Sequence, residues 1–325
     1  MTITHATLGV LAGCAGTLLA GAAVAQSYPA KPVRIVVGFT AGGPTDIVSR
    51  TIAPGLAEAL GQPVVIDNRP GAGGVTATAQ VAKAPPDGYT LLMGTIGGLA
   101  VAMSLQPNRG YDTLRDFAPI TQSVTVTNIL VVHPSLPVHS VKELLALARS
   151  RPGQLNYASA GAGTAPHLAG ELLKFMAGVN IVQVPYKGSS PALTALLSGE
   201  VEMNYENTLI VLSHIKSGKV RALGVTGARR SRLLPDVPTI AEGGLPGYDA
   251  SGWYGLLAPA GTPGDIVRRL NTEVVRILRE PGVVERLAGQ GADPAPSAPE
   301  AFGAFIRAEI DKWARLVKAA GMKPG

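Results

Sequence analysis

With 325 residues, 46% of them hydrophobic and only 15% charged, the chain has material for two buried cores or one large one. Its 40 glycines and 26 prolines are scattered, which excludes collagen-like repetition and points to many short loops between short elements. The net charge of +6 is dispersed, and the densest basic group, Arg229, Arg230 and Arg232, lacks interleaved aromatics, so nucleic acid is not an expected partner. A mildly basic surface remains compatible with a small anionic ligand.

The N-terminal 25 residues contain no Asp, Glu, Lys or Arg and run apolar from Leu8 to Val24. They end in Ala23-Val24-Ala25 before Gln26, the small-x-small pattern of a secretory signal cleaved after Ala25. Leu11-Ala12-Gly13-Cys14 resembles a lipidation site, but the apolar run continues past Cys14, so cleavage after Ala25 is the favoured reading and lipidation at Cys14 the alternative. Cys14 is the single cysteine, so the mature chain has no disulfide. The five histidines show no H-E-x-x-H or H-x-H spacing, and no metal or other cofactor is expected. No later segment approaches the ~20 apolar residues of a membrane span.

From Lys31 onward, short β-rich runs alternate with amphipathic helices. Strands are expected at 33–37, 64–66 and 89–93, helices at 46–60 and 75–83, with glycine turns between them. The pattern repeats with strands at 128–132, 155–158, 181–184, 201–205 and 220–225. The helices of this second stretch are expected after Ser140 and at 164–176, 191–197 and 209–217. Ser140-Val141-Lys142-Glu143 reads as a capping box opening the first of them. Strand, glycine turn and helix in repetition is the signature of parallel α/β architecture. The last quarter reads as mostly helical, with Thr262 as N-cap and Pro263 at N1 of one helix and Ser297-Ala298-Pro299-Glu300 capping another. Ile266, Leu270, Val274 and Ile277 stripe the first, and Phe302, Phe305, Ile306, Trp313, Leu316 and Val317 the second.

Two loops carry the chemistry. Phe39-Thr40-Ala41-Gly42-Gly43-Pro44-Thr45-Asp46 joins the first strand to its helix, and Ser159-Ala160-Gly161-Ala162-Gly163-Thr164-Ala165-Pro166-His167 joins a later pair. At a helix start the first N–H groups lack intrahelical partners and the dipole presents about half a positive charge. A carboxylate or phosphate fits there without an arginine, provided no Cβ holds it away. Each loop also reads as an ordinary tight turn; two together favour a shared anion. Asp46 reads as a helix cap or as a ligand group, and His167 as a structural hydrogen-bonder or a base. Tyr157-Ala158-Ser159-Ala160-Gly161 lacks the first glycine of a nucleophile elbow. Gly161-x-Gly163-x-x-Pro166 misses the third position of a dinucleotide fingerprint, and no phosphate-binding G-x-x-x-x-G-K-[ST] loop occurs. No catalytic constellation emerges, and no enzyme is expected. Glu202 reads as a solvated strand residue.

Several segments, in order, resemble the solute receptors of tripartite tricarboxylate transporters, the Bug family. They are Tyr28-Pro29-x-Lys31-Pro32-Val33-Arg34 with Gly42-Gly43-x-x-Asp46, then Asn68-Arg69-Pro70-Gly71-Ala72-Gly73-Gly74 and Pro86-Asp87-Gly88-Tyr89-Thr90-Leu91-Leu92. Gly161-x-Gly163-Thr164-x-x-His167-Leu168, Val184-Pro185-Tyr186-Lys187-Gly188 and Gly218-Lys219-Val220-Arg221-Ala222-Leu223 follow. Pro235-Asp236-Val237-Pro238-Thr239 and Ala258-Pro259-Ala260-Gly261-Thr262-Pro263 complete the set. The resemblance implies a type II periplasmic binding protein: two α/β lobes joined by two crossing strands, residues 26–127 plus 251–325 forming one and 128–250 the other. It implies a monomeric receptor in the periplasm that takes a small organic carboxylate to integral membrane permease subunits. The alternative partner is a sensor protein such as a sensor kinase. The implied ligand-binding set is Phe39, Ala41, Gly42, Thr45, Asp46, Ser159, Gly161, Gly163, Thr164, His167 and Glu206. The family's usual Val-Asp-x-x-Phe-Asp reads Val201-Glu202-Met203-Asn204-Tyr205-Glu206 here, which implies an altered far end of the ligand site. Pro54, a second departure, implies a kink in the first helix.

Overall fold

A computed structural model describes residues 28–161, 163–319 and 321–322; the expected signal segment and Cys14 lie outside them. The chain opens with β1 (Val33–Val37), α1 (Pro44–Leu60), β2 (Val64–Asn68), α2 (Val75–Ala82) and β3 (Thr90–Thr95). A single π-type turn at Gly97–Val101 leads into α3 (Ala102–Leu105), and the long β4 (Phe117–Val126) follows. Then come β5 (Asn128–Val132), α4 (Val141–Ser150), β6 (Asn156–Ser159), α5 (Ala165–Ala177) and β7 (Val182–Pro185). They are followed by α6 (Ser189–Leu197), β8 (Met203–Asn207), α7 (Thr208–Lys216) and β9 (Arg221–Val225). The chain ends with β10 (Gly252–Pro259), α8 (Gly264–Leu278), α9 (Pro281–Ala288), β11 (Ala292–Pro294) and α10 (Pro299–Ala319).

These strands form two sheets, one in each lobe. A six-stranded sheet runs β11-β4-β10-β3-β1-β2 and a five-stranded sheet runs β7-β6-β8-β5-β9. In the first, β1 pairs parallel with β2 and β3, while β10 lies antiparallel to β3 and β4. In the second, β6 pairs parallel with β7 and β8, while β5 lies antiparallel to β8 and β9. The parallel core of the first lobe explains why β1 reads as an unbroken apolar run: Val33, Ile35, Val36 and Val37 are buried because helices cover both faces. In α8, Leu270, Val274 and Ile277 are fully buried, whereas Ile266 stays partly exposed and Val267 takes its place in the core. Truncating Leu270 or Ile277 to alanine costs about 2–5 kcal/mol.

The chain passes between the sheets twice. Thr127 alone separates β4 from β5, and residues 226–251 separate β9 from β10. The crossings are tied side by side: Thr226 N–H donates to Asn128 O (2.9 Å), Asn128 N–H to Thr226 Oγ1 (3.1 Å) and Ala250 N–H to Thr226 O (2.8 Å).

Several expectations need correction. β4 and β10 were not legible as strands, and β11 interrupts the helical last quarter. β4 hides behind Pro119 and the polar run Thr121-Gln122-Ser123; a register irregularity near Pro119 accommodates the proline. Thr121 is buried because its hydroxyl donates to Ser297 O (2.9 Å). Thr262 is not the cap of α8: Pro263 occupies that position, and the Thr262 hydroxyl donates to Pro259 O. Glu202 is not a solvated strand residue; it precedes β8 and accepts Asn156 N–H at 2.7 Å. In the Ser140 box, Ser140 Oγ accepts Glu143 N–H as expected, while the Glu143 carboxylate takes His139 N–H in place of the cap's own. α1 runs through Pro54 as one element, so the Arg50 carbonyl loses that intrahelical donor.

Candidate functional site

The two loops singled out in the sequence share one construction. In α1 the N-cap is Gly43, Pro44 is N1 and Asp46 is N3; the preceding Gly42 has φ of +79°, a region that penalises a Cβ. Asp46 Oδ2 reaches back to accept Gly42 N–H at 2.9 Å. In α5 the N-cap is Thr164, Pro166 is N2 and His167 is N3; the preceding Gly163 has φ of +75°. His167 Nδ1 reaches back to accept Gly163 N–H at 2.9 Å. Each N3 side chain thus folds the turn before its helix, as the acid of a capping box does.

Asp46 is committed to the loop. Beyond Gly42, its Oδ2 accepts Arg50 Nε (2.8 Å) and its Oδ1 accepts Asn68 Nδ2 (2.9 Å). The same Asn68 amide donates to Phe39 O at 3.0 Å, so strand β2 holds the loop at both ends. Burial would raise the Asp46 pKa, but the hydrogen bonds from Arg50, Gly42 and Asn68 and the Arg50 charge together hold it below the usual carboxylate range. Gly42 N–H therefore is not a ligand donor. The amides of Thr45 and Asp46 themselves, ahead of the first intrahelical bond from Ile47 to Gly43, donate to no acceptor among the described residues. Phe39 is partly exposed, with its ring beside Gly74, and Ala41 is exposed at the loop tip.

In the α5 loop, Gly161 (φ +123°) offers its carbonyl to the Thr164 hydroxyl (2.7 Å) and more weakly to Thr164 N–H (3.4 Å). Ser159 is buried, and its hydroxyl accepts Gln183 Nε2 at 2.8 Å; its partner is not His167. His167 is buried, which lowers its pKa, and the acceptor role of Nδ1 requires the neutral ring with its proton on Nε2. The His167 N–H donates to no acceptor among the described residues, because the first intrahelical bond runs from Leu168 to Thr164.

Glu206, the last predicted site residue, is 1% exposed at the end of β8. Its Oε1 accepts Asn207 N–H at 2.8 Å, and the Ser189 hydroxyl at the start of α6 also bonds it. Burial pushes its pKa up to about 7 against those hydrogen bonds. Tyr254 of β10 stands between the lobes. Burial pushes its hydroxyl up to about 12, opposed by a hydrogen bond with Thr45 at the α1 start and assisted by the Glu206 charge. The longer side chain at 206 therefore turns into the protein toward Asn207 and Ser189.

The lobes touch directly. A Cβ on Gly97 would lie 2.7 Å from Gly163 O in the other lobe and 3.1 Å from Gly73 O in its own. Beside this contact a cavity of about 320 Å³ opens between the lobes, lined by Gly73, Gly97 and Gln106 on one side and Gly163, His167 and Lys174 on the other. Predicted residues Gly163 and His167 thus line an interlobe cavity, while Asp46, Thr45 and Glu206 sit among Arg50, Asn68, Tyr254 and Ser189.

The profile of the tripartite tricarboxylate transporter family receptor matches residues 48–322. The chain belongs to that family. Protein BugT of Bordetella pertussis is 41% identical over 324 residues, 99% of each chain. Rpa4515 of R. palustris, solved with adipate, is 42% identical with a TM-score of 0.87, covering 92% of this chain and 100% of that one. MatC from Rhodopseudomonas palustris, solved with bound malate, is 36% identical with a TM-score of 0.83 over 89% of this chain and 100% of that one. The receptor's two-lobed α/β fold therefore matches solved receptors of this family along nearly its whole described length.

Sequence reasoning missed four residues that this receptor uses around the loops: Arg50, Asn68, Tyr254 and Gly97. Arg50 was open to view, four residues after Asp46 on one helix face. Asn68 required the β1–β2 register, which sets it opposite Val37 and so beside Phe39. Tyr254 lies on a strand that was not recognised, and Gly97 acts only through the other lobe.

Proposed function

We propose that this receptor is exported to the periplasm, closes on a small organic carboxylate between its lobes, and delivers it to the permease subunits of a tripartite transporter. Residues 26–127 plus 251–325 would form one lobe and 128–250 the other. The observation that carries the reading is the pair of like-built helix starts, one per lobe, each with an unpartnered first-turn amide: Thr45 and Asp46 in α1, His167 in α5. Amides at helix starts suit a carboxylate. In this reading Phe39, Ala41, Thr45, Ser159, Gly161, Thr164 and Glu206 shape the cleft, while Asp46 and His167 act by positioning the loops. The relatives solved with adipate and with malate support a carboxylate ligand. The ligand stabilises the closed form through contacts that only closure supplies.

Calorimetric titration of the mature protein with mono-, di- and tricarboxylates tests this. One acid should bind well below millimolar; if none binds more tightly than about millimolar, the reading fails. Gly97→Ala is the companion variant. The residue is helical in conformation, so alanine itself is unstrained, but its methyl must push Gly163 away, and affinity should drop about tenfold with both lobes folded. Uptake of the same acid by cells with and without the receptor tests delivery.

A further inference from the structure

The arginine group noted in the sequence plays no part in the cleft, yet it borders a cavity of about 770 Å³ behind the crossing strands. Thr125, Thr127 and Trp253 line the cavity from the crossings, Arg229 and Arg232 from the second lobe, and Arg279, at the end of α8, from the first. Two of the three acids on its wall are held by hydrogen bonds. Glu309 Oε2 accepts both indole N–H groups, from Trp253 and Trp313 (2.9 Å each), and its other oxygen faces Lys312. Asp249 holds Ser251 N–H and its hydroxyl, and Arg230, a fourth arginine here, is paired with Glu242 at 2.9 Å. Asp293 is the remaining acid on the wall, on the edge strand β11.

Arg229, Arg232 and Arg279, by contrast, make no side-chain hydrogen bond or ion pair among the described residues. The three guanidinium groups, drawn from two lobes, line one cavity and outnumber Asp249 and Asp293, the wall carboxylates without a cationic partner among the described residues, and a multivalent anion bridging them would relieve the remaining repulsion. We propose that this hinge-side cavity is a second binding site, for a small anion carrying two or more phosphate or carboxylate groups. Its walls belong to different lobes, so occupancy would be linked to lobe closure and hence, reciprocally, to affinity in the cleft. That coupling rests on the receptor closing around a carboxylate; the site itself does not.

The test uses the mature receptor with inorganic pyrophosphate in one arm and citrate in the other, which separates phosphate from carboxylate chemistry. Binding is read by calorimetry and by intrinsic tryptophan fluorescence, to which Trp253 in the cavity wall contributes beside Trp313. A Gly161→Val variant, altered only in the cleft loop, should retain polyanion binding. Arg279→Ala and the double variant Arg229→Ala/Arg232→Ala should each weaken it about tenfold, and less at high salt. These arginines are exposed, so the variants should fold, and circular dichroism checks that. Binding by either anion that depends on these arginines supports the site. Neither anion binding below millimolar, affinity unchanged in the arginine variants, or loss of binding in Gly161→Val would overturn it.

Discussion

The α1 and α5 loops are the same device built from different acids and bases. Both set a positive-φ glycine before the N-cap and both use the N3 side chain to take that glycine's N–H. In α1 the acceptor is a carboxylate with Arg50 and Asn68 behind it; in α5 it is a neutral imidazole. The geometry is shared, but the response to protons is not. The folded pKa of Asp46 lies below 3.8, so its contribution is present above that value and is lost only as pH falls through the lower folded one. The folded pKa of His167 lies below 6.5, so its contribution is full above 6.5. It declines as pH falls below that value, because the unfolded chain takes up a proton that the buried ring refuses. Once pH falls through the lowered His167 value, acid should loosen the α5 loop while Asp46, still ionised, holds the α1 loop.

The largest effect expected is from Asp46→Ala. It leaves Gly42 N–H, Asn68 and Arg50 without their shared acceptor, and carboxylate affinity by calorimetry should fall about a hundredfold, or about 3 kcal/mol. Affinity within a factor of two of the parent would break the equivalence of the two loops.

Glu206→Gln comes next and isolates a third titrating group, buried at the end of β8. The rise from 4.5 to about 7 means that folding is favoured below 4.5 and that this advantage is lost as pH rises through 7. It corresponds to about 3 kcal/mol. Urea melts should therefore show the variant more stable than the parent at pH 8, with the two converging near pH 4.

A smaller effect sharpens the comparison itself. The parent's affinity should drop several-fold as pH falls through the folded value of His167, which burial holds below the usual 6.5. In His167→Asn, whose side-chain oxygen can still accept Gly163 N–H, the profile should flatten. A titration series in the Glu206→Gln background separates the imidazole from the carboxyl. If the slope below 6.5 persists in His167→Asn, the histidine is not its source.

The smallest effect is at Tyr205. The ring packs edge-on against Tyr157 at 5.7 Å, but the buried hydroxyl has no hydrogen-bond partner among the described residues. Tyr205→Phe should raise stability by about 1 kcal/mol in the same melts while leaving ligand affinity unchanged. A loss of stability would reveal a partner for that hydroxyl.

How far the sequence reached is visible residue by residue. β1 and β5 were legible to the residue because a two-face-buried strand is a plain apolar run between turn signals. β4 was not, because its buried Thr121 is satisfied by a hydroxyl bond to Ser297, 176 residues away. The two helix starts were legible from glycine followed by an N-terminal proline. That Asp46 and His167 would turn back to those glycines was open, since a first-turn side chain can equally face a ligand. Asn68 and Gly97 were beyond reach: one depends on strand register and the other on contact between lobes.

In the proposed function, the α1 and α5 amides grip one carboxylate from two lobes. A crystal structure of the mature receptor with its tightest-binding acid tests it most directly. A ligand carboxylate oxygen is expected about 2.9 Å from the amide nitrogen of Thr45 or Asp46, or joined to it through one water, with the α5 start closing on the same ligand. Density for the acid away from both helix starts would contradict it.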